Sequence, residues 1–101
     1  MPAMGTCNFS KGQNIFITSG INVCMAHHKY FAQEVLSATA RFRQGDWGEI
    51  CDDDKMQNDQ ALLEGGQIIA SYPTSQGNIF VITENVMAEA PITTILFAYE
   101  Y

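Results

Sequence analysis

EGGQIIASYPTSQGNIFVITE, residues 64–84, changes its hydrophobic period at Gly65-Gly66. Before the glycine pair, apolar residues recur at helical spacing; after it they form short runs rich in Ile, Val, Phe and Tyr, the composition of strands. Pro73-Thr74-Ser75-Gln76-Gly77 separates two such runs and reads as a hairpin connection. A third run, ITTILFAY (92–99), follows NVMAEAP, with Pro91 at its entry. These strands are expected to pair antiparallel.

Upstream, CDDDKMQNDQALLEGG (51–66) reads as a helix that ends at the glycine pair. Asp52, Asp53 and Asp54 would supply N-cap side chains, and Gln57 could answer Asp54 as a variant capping box. KYFAQEVLSATARF (29–42) is a second helix, because Phe31, Val35, Ala38 and Phe42 fall on one stripe while Gln33, Glu34, Ser37 and Arg41 fall opposite; Gly45 stops it. GINVCMAHH (20–28) reads as a short helix with Ile21, Cys24 and Met25 on one face and Ser19 as its N-cap. NIFITSG (14–20) is a strand candidate ahead of it. The order strand, helices, strands predicts an α+β domain: three short helices on one face of a three- to four-stranded antiparallel sheet. The last two strands are apolar at both parities, more than a half-solvated sheet requires, so the second face is expected to be covered by strong coiling or by a second copy of the chain, a homodimer.

The 101 residues suffice for one domain with one core. At 47% apolar and 16% charged residues, the composition is that of a folding chain. No apolar run nears the roughly 20 residues that span a bilayer, and MPAMGTCNFSKG (1–12) lacks the regions of a signal peptide, so the expected compartment is the cytoplasm. Cys7, Cys24 and Cys51 are odd in number and irregularly spaced, which predicts reduced thiols rather than a disulfide framework.

Charge is unevenly distributed. Between Gly45 and Glu64, Asp46, Glu49, Asp52, Asp53, Asp54, Asp59 and Glu64 are opposed only by Lys55, so this segment carries the whole formal charge of −6. Elsewhere Glu34, Glu84, Glu89 and Glu100 are matched by Lys11, Lys29, Arg41 and Arg43. Such a patch repels phosphates and attracts basic surfaces, which argues against direct nucleic-acid binding through it. Those seven acids and Trp47 are the expected partner-binding residues. Trp47, flanked by Gly45-Asp46 and Gly48, can be a core plug or an exposed aromatic anchor.

Sites for chemistry are weak. Cys24, His27 and His28 are zinc-ligand types, but C-x2-H-H is not the spacing of a finger or ribbon; a partly buried Cys on a helix followed by two surface histidines at the helix end, where their charge complements the dipole, is the expected reading. Cys24 and His28, one turn apart, lack an oxyanion hole or orienting third group. The aspartate run lacks the calcium-loop frame, and its polarity offers no apolar pocket to raise a carboxylate pKa for acid/base work. Neither Gly65-Gly66 nor Gly77 is followed by the lysine of a phosphate loop. No catalytic residue, cofactor or metal is expected.

FRQGDWGEICDDDKMQNDQALLEGGQIIASY, then GNIFVITE and TTILFAYEY, resembles a family of small plasmid-related bacterial proteins of unknown function. The pattern runs G-D-W-G, N-x-x-A-L, I-T-E, T-T-I-L and a terminal E-Y. The resemblance marks Gly45, Asp46, Trp47, Gly48, Asn58, Ala61, Leu62, Ser71, Tyr72, Thr83, Glu84, Thr93, Thr94, Glu100 and Tyr101 as signature positions. NVMAEAP departs from it by lacking the acid-and-arginine pair the family places after I-T-E, and FAYEY by lacking a proline. The resemblance implies a mobile genetic element, whose small acidic proteins often block host defence nucleases with a carboxylate array. The expected function is therefore a non-enzymatic inhibitor of the anti-CRISPR or anti-restriction type, with the basic surface of a host protein as partner. The alternative is a zinc-binding module or metal-dependent enzyme using Cys24, His27 and His28.

Overall fold

The structure, a computed structural model, describes residues 14–101; Cys7 and the N-terminal stretch tested for a signal peptide lie outside the described residues. The chain runs β1 (Asn14–Ile17), α1 (Ser19–His27), α2 (Lys29–Arg43), α3 (Asp52–Glu64), β2 (Ile68–Tyr72), β3 (Ile79–Thr83) and β4 (Ile92–Phe97), then a 3-10 turn, Ala98–Glu100. It is an α+β fold with a four-stranded sheet in the order β1-β4-β3-β2. The two hairpin-linked pairs, β2 with β3 and β3 with β4, are antiparallel as expected. The expectation of a purely antiparallel sheet fails at β1, which runs parallel to β4. Parallel neighbours need a long crossover, and the helices and the β2–β3 hairpin between β1 and β4 provide one.

Register sorts the side chains into rows. Ile68, Thr83 and Thr93 align, then Ala70, Val81 and Ile95, then Tyr72, Ile79 and Phe97, and all nine are buried. This face meets Ile21 of α1 and the stripe of α2, where Phe31, Val35, Ala38 and Phe42 are each at most 4% exposed. Phe31 stacks on Phe97 at 5.5 Å between ring centroids. Each such side chain contributes roughly 1.5–3 kcal/mol of burial. The one polar pair in the rows is satisfied, with the Thr83 and Thr93 hydroxyls 2.6 Å apart. α3 contributes Ala61 to the same core and lies beside β2.

Three local expectations are corrected. The N-cap of α1 is Thr18, whose hydroxyl accepts the Ile21 N–H at 3.2 Å, not Ser19. That of α3 is Cys51, with no side-chain cap bond; Asp52, Asp53 and Asp54 occupy its first turn instead, where their charge faces the positive helix end, and the Asp54–Gln57 box does not form. The last strand stops at Phe97 because Glu100 turns the chain back: its carboxylate accepts the Phe97 N–H at 2.8 Å and the Thr18 hydroxyl at 2.9 Å. A Cβ on Gly20 would lie 2.7 Å from that carboxylate, so the C-terminal turn rests on the start of α1.

No helix among the described residues is long and apolar enough to cross a membrane. Cys24 and Cys51 are free thiols.

Candidate partner-binding surface

The Gly45–Glu49 turn and α3 together close one edge of the sheet. In β2, Ile68, Ala70 and Tyr72 turn their main chain toward β3, which leaves the groups of Ile69 and Ser71 pointing outward. Asn58 covers the first pair: its side-chain amide donates to the Ile69 carbonyl at 2.9 Å, and its amide oxygen accepts the Ile69 N–H at 3.3 Å. The turn covers the second: the Ser71 N–H donates to the Trp47 carbonyl at 3.2 Å, and the Glu49 N–H donates to the Ser71 carbonyl at 2.7 Å. Gly48 is the close point. Its φ is +77°, and a Cβ there would lie 2.0 Å from the Ser71 carbonyl oxygen.

Side chains lock the turn from both flanks. Arg41, at the end of α2, grips Asp46 with two bonds, Nε to Oδ2 at 2.7 Å and Nη2 to Oδ1 at 3.1 Å, and its guanidinium lies 5.0 Å from the Tyr72 ring centroid. The Asp46 carboxylate also accepts the Gly48 N–H, and these hydrogen bonds, Arg41 first, hold its pKa below the usual aspartate value. The same bond to Asp46 raises that of Arg41. The Tyr72 phenol is pushed upward by burial and donates to the Asp46 carbonyl at 2.6 Å, so it stays neutral and satisfied.

Three residues placed among the partner contacts therefore serve the fold. Trp47 is 3% exposed, with its ring edge-on to Phe42 at 5.4 Å and its indole N–H donated to the Asp59 carboxylate at 2.9 Å. The positive-φ glycines either side turn the chain so that the indole drops inward; it is a core plug, not an exposed anchor. Asp59 is exposed yet tied to that indole, and Asp46 is tied to Arg41.

Glu49, Asp52, Asp53, Asp54 and Glu64 remain exposed, with Glu64 touched only by the neighbouring Gln60 at 3.2 Å among the described hydrogen bonds. The same helix exposes Met56 by 67% and Leu63 by 78%. Seven residues apart, these two share one face of α3, two turns from each other. Their outward face thus combines two large apolar side chains with an acidic surround. The i, i+7 spacing was present in the sequence as the signal for it; Arg41 carried no such signal, since a helix-end arginine looks solvated until its partner in the next turn is placed.

Cys24, His27 and His28 lie together along a groove of about 570 Å³ that also touches Phe97 and Tyr99. Cys24 is half-buried at α1, both histidines are exposed, and His27 Nδ1 lies 2.9 Å from the Val23 carbonyl oxygen. Among the described residues, no three or more His, Cys, Asp or Glu side chains converge as metal ligands. Compared with protein-family models, curated proteins and solved structures, the chain gives no match.

Proposed function

We propose that the chain is a small non-enzymatic binding protein whose outward face of α3 meets a basic surface on a host protein in the cytoplasm. The observation that carries this reading is the exposed Met56–Leu63 pair on α3, flanked on the same side of the helix by the exposed Asp52, Asp53 and Glu64. An apolar centre with a charged rim is the anatomy of a protein interface: the centre supplies affinity and the rim supplies steering and register. The resemblance to small plasmid-related proteins supports a place on a mobile genetic element and, as target, a nucleic-acid-processing defence complex of the kind that anti-CRISPR and anti-restriction proteins inhibit. Through its sheet the protein also self-associates as a homodimer.

The test separates centre from rim. Changing Glu49→Gln, Asp52→Asn and Asp53→Asn together should leave the protein folded, because solvated charges at a helix start contribute about 0.3–1 kcal/mol each. The partner recovered from host lysate should then bind the triple variant with slower association and a shallower salt dependence, while Met56→Ser with Leu63→Ser should raise its dissociation rate. An unchanged salt slope and unchanged affinity in both folded variants would place the interface elsewhere.

A further inference from the structure

The two edges of the sheet are treated in opposite ways. At β2 every outward main-chain group has an internal partner, supplied by Asn58, Trp47 and Glu49. At β1 the ladder to β4 uses alternate residues, with the Asn14 N–H donated to Pro91 and the Thr18 N–H to Ile95. Ile15 and Ile17 therefore aim their N–H and C=O groups away from β4, and no partner for them occurs among the described residues.

Exposed apolar surface gathers at the same margin. The second face of the sheet is covered toward β2 and β3, where Ser71 and Ile82 are 8% and 5% exposed. Toward β1 it opens, with Phe16 54% and Ile92 49% exposed, and at the same edge Ile17, on the helix side in the row of Ile95, is 38% exposed. β1 and β4 contain no charged residue, whereas the acids of α3 lie beyond β2 at the far side of the sheet order.

We infer that β1 is the homodimer interface, pairing antiparallel with β1 of a second copy across a two-fold axis at Phe16. The pattern is self-complementary. Ile15 of one copy faces Ile17 of the other, and each such pair exchanges both N–H···O bonds. Phe16 faces its own copy as a non-hydrogen-bonded pair, in which side chains approach most closely, so the two rings meet on the open face. Two-fold pairing also keeps the two −6 patches at opposite ends of a continuous eight-stranded sheet, so like charge does not oppose it. A basic partner, by contrast, finds no acid on β1 itself and only Glu100 at its end, whose carboxylate already accepts the Thr18 hydroxyl and the Phe97 N–H. This inference rests on the self-association proposed above and specifies its site.

The experiment measures mass and amide exchange of the full chain across protein concentration. The expected species is a dimer of about twice 11.2 kDa, in which the Ile15 and Ile17 amides gain protection as concentration rises. Ile17→Pro removes one outward donor without touching the β4 ladder and should weaken dimerisation at least tenfold; Phe16→Lys, which needs no backbone change, should do the same if the proline variant fails to fold. A wild-type monomer at tens of micromolar overturns both the edge and the self-association. A dimer that tolerates both variants overturns the edge alone, as does concentration-independent protection of Ile15 and Ile17.

Discussion

Gly45 and Gly48 have nearly the same backbone, φ +80° and +77°, but different surroundings. A Cβ at Gly45 meets nothing within 4 Å, while at Gly48 it would overlap the Ser71 carbonyl and press on the Tyr72 ring. Gly45→Ala should therefore cost only the left-handed backbone penalty, about 1–2 kcal/mol. Gly48→Ala must also push the turn off β2 and lose the Ser71 hydrogen bonds, which brings the cost to about 3–5 kcal/mol. Urea denaturation of the two variants measures the difference, and equal midpoints would show that the turn does not rest on β2 as described. The paired glycines around Trp47 were visible in the sequence as a sharp turn. What they turn toward was not, because the contacts with Tyr72 and Phe42 come from residues distant along the chain or on another element.

The helices differ in how openly the sequence declared them. The stripe of α2 is a local pattern, and Phe31, Val35, Ala38 and Phe42 are buried as read. The end of α3 at Gly65 and the strands that follow were legible for the same reason, since period and glycine chemistry act within a few residues. Helix starts were misread by one residue, from Thr18 to Ser19 and from Cys51 to the aspartates, because several neighbours could cap and only the backbone angle decides which one does. Cys51 has the extended N-cap conformation, φ −72° and ψ 162°, without a side-chain acceptor bond. Cys51→Ser would offer a hydroxyl to the free N–H groups of the first turn and should raise stability by about 0.5–1 kcal/mol in thermal denaturation. A lower melting temperature would mean that the thiol is valued for packing that a hydroxyl disrupts.

At the scale of the molecule, the sheet among the described residues has a sealed end and an open one, and the seal is built from the Asn58 side chain and the Trp47–Glu49 turn rather than from another strand. The parallel pairing of β1 that leaves the other end open could not be read from sequence, because strand order depends on which edge β1 meets after the crossover, and no local feature of NIFI encodes that choice. The seal itself can be broken at one atom pair. Asn58 is 5% exposed and serves both outward groups of Ile69 with its amide. Asn58→Ala leaves a buried-side carbonyl and N–H without partners at about 1–3 kcal/mol, and it opens β2 to strand addition. Asn58→Asp keeps the acceptor but loses the donor and, ionised, sets a buried charge against the Ile69 carbonyl oxygen, so it should cost more than alanine. The expected order by denaturant midpoint is Asn, Ala, Asp, and the alanine variant alone should form concentration-dependent species larger than a dimer, because it has two open edges and can propagate where a two-fold pair closes. Should Asn58→Ala remain as stable as wild type and never exceed the dimer, the main chain of Ile69 must already be served by water, and edge protection would not be the role of Asn58.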